Sequence, residues 1–170
     1  VETVAATLGG LLYIPFMLQF LTGILMRDND STANLSLCLW VIAVAKFCDV
    51  GALLTGLAIG RHKLAPNISP KKTWEGAVGG VLIAAGVGAA IAFFAADLLP
   101  ESLTPALAAL IAVPLAIVAI ISDLLESVIK RRADAKDTGE LIPGIGGAFD
   151  LTDSLILTAP VAYFIFLFVE

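Results

Sequence analysis

Residues 76–96 read GAVGGVLIAAGVGAAIAFFAA, a run with no charged residue and no proline. The hydrocarbon core of a bilayer takes about 20 helical residues, so this run is expected to cross a membrane as a helix. Small residues recur in it at every fourth position, as Gly76, Gly80, Ala84, Gly88 and Ala92. On a helix that spacing lays a small-residue stripe down one face, where a neighbouring helix can come close. The stripe is read as a packing surface rather than a ligand site. Gly56 and Gly60 are read in the same way.

Four further apolar stretches flank the first, at 4–26, 35–60, 105–122 and 151–169. The fold class expected is therefore all-α: a polytopic membrane protein of about five transmembrane helices, with one transmembrane domain over 1–170. The chain opens almost inside the first span, as expected of a segment whose upstream helices are missing. Pro15, Pro114 and Pro160 fall inside spans, where membrane helices tolerate kinks. Phe164, Phe166 and Phe168 are read as lipid-facing. Composition agrees, with 59% hydrophobic and 15% charged residues in 170, against about 45–50% and about 25% in soluble domains. That excludes a water-soluble fold, a disordered chain, a collagen-like repeat and a disulfide scaffold. No stretch has the parts of a signal peptide. Cys38 and Cys48 lie about 15 Å apart along one helix, beyond disulfide reach, and are read as buried packing residues.

The net charge of −5 argues against nucleic acid as a partner, but the charges are sorted by region. Arg61, Lys63, Lys71 and Lys72 crowd one connection, and Lys130, Arg131, Arg132 and Lys136 another. The remaining two connections hold Asp28, Asp30, Asp97 and Glu101, with Arg27 the one basic residue. Basic connections stay on the cytoplasmic side. The start of the chain and both basic regions are thus expected inside, and Glu170 outside.

Charges within a span mark structure or function, because each costs at least ~2.5–3.5 kcal/mol at the bilayer centre. Lys46 and Asp49 are two such residues, three apart on one helix face. They are either a structural ion pair or part of a site, and Asp49, which leads into a glycine-rich groove, is the stronger site candidate. Ser69, Lys71, Lys72 and Thr73 gather donors just before the next helix, where a helix N-terminus favours phosphate. The competing reading is a basic loop that sets topology or touches anionic lipid headgroups. His62 is read as solvated.

The second basic region is denser. Asp123, Ser127 and Lys130 share a face where the fourth span ends. Lys136 and Asp137 follow, and then Pro143-Gly-Ile-Gly-Gly147, a loop nearly free of side chains that admits backbone to a ligand. Asp150 and Asp153 stand three apart at the mouth of the last span, so their carboxylates can converge on a hard cation such as Mg²⁺. Asp150 alone would serve as a helix cap. Carboxylates, basic side chains and a glycine loop together describe a metal-assisted phosphoryl or nucleotidyl site. The loop of P-loop proteins is absent.

These residues carry a resemblance. Ser127, Lys130-Arg131, Lys136-Asp137, Pro143-Gly144, Gly146-Gly147, Asp150 and Asp153 fall on the signature of the phosphatidate cytidylyltransferase (CDP-diacylglycerol synthase) family. Lys63-Leu-Ala-Pro66 and Ile68-Ser-Pro-Lys-Lys-Thr-Trp-Glu-Gly76 resemble it too, as does Asp49-Val-Gly-Ala52. The resemblance implies CTP and phosphatidate as substrates, CDP-diacylglycerol and pyrophosphate as products, and a site at the cytoplasmic face of a bacterial inner membrane. It implies a divalent metal, Mg²⁺, on Asp123, Asp150 and Asp153. Lys130, Arg131, Lys136 and Asp137 would join Asp150 and Asp153 in catalysis. Asp49, Ser69, Lys71, Lys72, Thr73, Ser127, Gly144, Gly146 and Gly147 would contact substrate. Two positions depart: Ile145 stands where the family has His, and Leu151 where it has Arg. A CTP-dependent enzyme for another lipid (a polyprenol or archaeal-type lipid phosphate, or a lipid kinase) and a non-catalytic paralogue are the alternatives. A transporter fits least, since the charges cluster at one face. The bilayer and a second copy of the chain complete the candidate partners.

Overall fold

The computed structural model describes residues 2–27, 29–132 and 148–169, and the side chains of 10, 13–27, 29–132 and 152–169. Five α-helices account for most of them: α1 (Glu2–Leu25), α2 (Ser31–Ile59), α3 (Trp74–Phe94), α4 (Pro105–Arg132) and α5 (Ala148–Leu167). A short 3₁₀ turn, Ala96–Leu98, follows α3. Helices α2, α3 and α4 are long and apolar enough to cross a membrane, and Tyr13–Leu25 and Thr152–Leu167 are shorter apolar stretches of α1 and α5. The expected helical class thus holds.

Local chemistry starts the helices. The Asp30 carboxylate accepts from the backbone N–H groups of Thr32 and Ala33 at 2.9 and 3.1 Å, which begins α2 four residues ahead of the predicted boundary. The Thr73 hydroxyl accepts from Gly76 N–H at 3.1 Å and caps α3. Helix α4 opens on Pro105, a residue suited to the first turn because its missing N–H would lack a helical partner there. It also runs ten residues past its predicted end. The extension includes an i,i+4 pair, Glu126 with Lys130, whose carboxylate and ammonium neutralise each other.

Packing follows the small-residue stripe. Gly76, Gly80, Ala84, Gly88 and Ala92 are the buried residues of α3. A Cβ placed on Gly76 would lie 2.7 Å from the Ala52 carbonyl, and one on Gly80 would lie 2.7 Å from the Cys48 carbonyl. Only glycine lets α2 and α3 come this close. The Trp40 indole N–H donates to the Gly88 carbonyl across the same seam at 2.9 Å. Helix α4 packs on α3, α5 on α4, and α1 against α5 and α2. Trp40, Val41, Val44, Leu115 and Ile156 fill the interior. Cys38 and Cys48 are free and buried, as expected. One expectation is corrected: Phe166 is 2% exposed and packs against Trp40, whereas Phe164 and Phe168 are 52% and 87% exposed.

The connection between α2 and α3 is an antiparallel hairpin, β1 (Lys63–Ala65) and β2 (Ser69–Thr73), paired Lys63 to Thr73 and Ala65 to Ser69. Ile68 N–H closes its turn on the Ala65 carbonyl at 3.2 Å, and Trp74 N–H donates to His62 O at 2.9 Å. His62 is not merely solvated. Its Nδ1 lies 2.5 Å from Glu75 Oε1, and the Arg61 and His62 N–H groups donate to the same carboxylate. Glu75 therefore clamps the hairpin onto the first turn of α3, where negative charge is favoured.

Candidate active site

Beneath the hairpin lies a cavity of about 590 Å³ whose walls include Asp49, Gly56 and Gly60 of the α2 segment, Lys63, Lys71, Lys72 and Thr73 of the hairpin, Gly76 of α3 and Asp123 of α4. The glycines at the α2–α3 seam leave room where side chains would otherwise meet. The structure thus brings together Asp49, Lys71, Lys72, Thr73 and Asp123, residues drawn from three separate stretches of the chain. Ser69 sits in β2 outside this wall. Lys72 forms an ion pair with Asp123, tying the hairpin to α4.

A second constellation adjoins the first. Asp123, Glu126 and Asp153 each present a carboxylate oxygen within 4.8 Å of the other two. Helix α4 sets Asp123 and Glu126 three apart on one face. Helix α5 is held beside it where the Ser122 hydroxyl donates to the Asp153 carbonyl and accepts from Leu157 N–H at 3.4 Å. Three hard oxygen donors gathered in this way could hold a metal ion. Lys130 pairs with Glu126 at 2.6 Å, with side chains 15% and 4% exposed. Arg131 Nε donates to the Ile68 carbonyl at 3.5 Å, and Ser127 is half-buried on α4.

Lys46 and Asp49 do pair, at 3.5 Å. Lys46 also reaches across to α5, 3.3 Å from Asp153 Oδ1 and 2.8 Å from Ser154 Oγ. Lys46, ranked below Asp49 as a site candidate, is thus a full member of the constellation, and Glu126 is the member that sequence reasoning missed. The available signal for Glu126 was its spacing, three after Asp123 and four before Lys130. The Asp150 and Leu151 side chains, and Lys136, Asp137, Gly144, Ile145, Gly146 and Gly147, lie outside the described residues.

A wholly apolar groove of about 530 Å³ runs between α3 and α4, lined by Trp74, Val78, Leu82, Ile117, Ile121 and Leu124 among others. It shares Leu64, Ala77 and Ile120 with the polar cavity, so the two adjoin along a common wall.

The model of the cytidylyltransferase family matches residues 1–169. The chain belongs to that family. Among curated relatives, a phosphatidate cytidylyltransferase of Rickettsia felis is 40% identical over 164 residues, covering 92% of this chain and 68% of the relative. One from Haemophilus influenzae is 32% identical over 158 residues, covering 90% of this chain and 55% of the relative. One from Brucella suis is 39% identical over 155 residues, covering 91% and 54%. The chain therefore spans about two thirds of the rickettsial relative and about half of the other two. Family membership agrees with the resemblance drawn from the motif residues.

Proposed function

We propose that the chain carries the site of a phosphatidate cytidylyltransferase, an enzyme of phospholipid biosynthesis that transfers CMP from CTP to phosphatidate and releases pyrophosphate with CDP-diacylglycerol. The observation that carries this reading is the junction of a charged cavity with an apolar groove, through their shared wall of Leu64, Ala77 and Ile120. A substrate with a phosphate head and hydrocarbon tails matches both halves at once. A soluble phosphate ester would leave the groove without a role.

Lys71 and Lys72 supply positive charge to phosphates, and strand β2 holds both at the cavity wall. Lys72 is held by Asp123 until a phosphate competes for it. Asp123, Glu126 and Asp153, joined by Asp150, would hold the divalent metal, which when bound neutralises polyphosphate charge and polarises the phosphoryl group under attack. By the family signature Arg131, Lys136 and Asp137 would join in catalysis, the two basic side chains balancing phosphate charge. Gly144, Gly146 and Gly147, by their lack of side chains, would let backbone approach the nucleotide. We read 1–170 as one multi-pass domain of five spans in a cell membrane, with both basic connections and the site on the cytoplasmic face.

The test is CTP-dependent conversion of phosphatidate by the purified full-length protein, with and without Mg²⁺, beside a polyprenol phosphate acceptor. CDP-diacylglycerol formed only with Mg²⁺ is expected. Transfer to polyprenol phosphate alone, or no transfer to either, would overturn the reading.

A further inference from the structure

Lys46 is a cation in the middle of a span that touches three groups. Its Nζ lies 2.8 Å from Ser154 Oγ, 3.3 Å from Asp153 Oδ1 and 3.5 Å from Asp49 Oδ2. Asp49 belongs to the polar cavity wall, and Asp153 to the carboxylate trio. One ammonium thus joins the two halves of the site, from helices 107 positions apart in the chain. Each of the four described carboxylates here has a lysine: Asp49 and Asp153 share Lys46, Asp123 has Lys72 and Glu126 has Lys130. Lys72 comes from the hairpin and Lys130 from α4, near its end. Lys46 alone stands mid-helix in α2, and it alone contacts two of these carboxylates.

We propose that Lys46 is a positioning residue of the metal site, a tethered counter-charge that aims Asp153 and weakens divalent binding so that the ion is held mainly together with substrate phosphates. The inference rests on the reading of Asp123, Glu126 and Asp153 as metal ligands. Its physics is Coulomb repulsion. A fixed positive charge beside a ligand carboxylate opposes a second cation on that carboxylate. It also holds the carboxylate still, which ties Asp153 to α2 as well as α5.

The test measures Mn²⁺ binding without CTP, by electron paramagnetic resonance on the purified full-length protein, together with turnover. Lys46→Gln removes the charge and keeps a hydrogen-bonding amide. It is expected to tighten Mn²⁺ about tenfold while lowering kcat. Lys46→Arg keeps the charge and is expected to bind Mn²⁺ as the wild type does. Lys46→Met, of similar length and suited to an apolar helix, reports the same quantity where the glutamine variant does not insert. Tighter Mn²⁺ with slower turnover supports the proposal, since a merely structural lysine would lose both together. Unchanged or weaker Mn²⁺ binding in the folded neutral variants overturns the role of Lys46 alone. A wild-type protein that binds no Mn²⁺ overturns the metal reading and this proposal with it.

Discussion

Lys72 of the hairpin and Asp123 of α4 form an ion pair at the wall of the polar cavity. It joins the connection after α2 to the end of α4, so two motif regions far apart in the chain answer to each other. Lys72→Met is expected to lower turnover about a hundredfold, as for loss of one group aimed at reacting phosphate. The double variant with Asp123→Asn should be little worse than the poorer single one, because paired groups act as a unit. Steady-state kinetics on the four proteins checks this, and full additivity would refute it.

Carboxylate charge is the second point. Asp153→Asn and Glu126→Gln keep size and remove the charge that holds a hard cation. Each is expected to cut turnover by about 10²–10³ and to raise the Mg²⁺ needed for half-maximal rate. Asp150→Asn is expected to follow them. Asp134→Asn, off the motif, should stay within about twofold of the wild type. An Mg²⁺ titration of each variant decides the matter.

The α2–α3 seam predicts stability. Gly80→Val sets a branched side chain where even a Cβ would meet the Cys48 carbonyl at 2.7 Å, and overpacking of this kind costs about 1–3 kcal/mol. Gly86 has nothing within 4 Å of an added Cβ, so Gly86→Ala should hold or gain stability. Thermal denaturation in detergent should show a fall for the first variant only.

Topology gives a prediction independent of activity. Cysteine at Lys72 or Lys136 should react with an impermeant reagent from the cytoplasmic side alone, and cysteine at Asp30 or Glu101 from the opposite side alone. The native Cys38 and Cys48 are buried and contribute little background. Labelling of Asp30 and Lys72 positions from one side would break the five-span arrangement.

What the sequence disclosed depended on whether a feature was local. The α3 stripe was legible because close helix contact demands small residues at a fixed period, and those five residues are the ones buried. Cavity residues such as Lys71, Lys72 and Thr73 were legible because they precede a helix start. The reach of Lys46 to Asp153 was not, since it depends on how α5 returns beside α2. Glu126 resembles a surface i,i+4 partner of Lys130 until tertiary packing leaves it 4% exposed. Phe166 looked like its neighbours at 164 and 168, yet helical phase turns it inward onto Trp40. The hairpin, too, escaped notice, because two very short strands carry no period and arise from pairing.

The glycine seam has one ambiguity that Trp40 removes. With a small residue at every fourth position, a slip of four along α3, about 6 Å, would again set small against small. The indole N–H meets the Gly88 carbonyl, and a Cβ on residue 88 would lie 3.1 Å from the ring. Ala84 or Ala92 in that place would press a methyl on the ring. Trp40 thereby chooses one setting of α3 against α2, and with it the level at which Gly76 of α3 stands beside Asp49, nine residues and about 13 Å further along α2 from Trp40. A single indole outside the polar cavity thus decides which residues face each other across it.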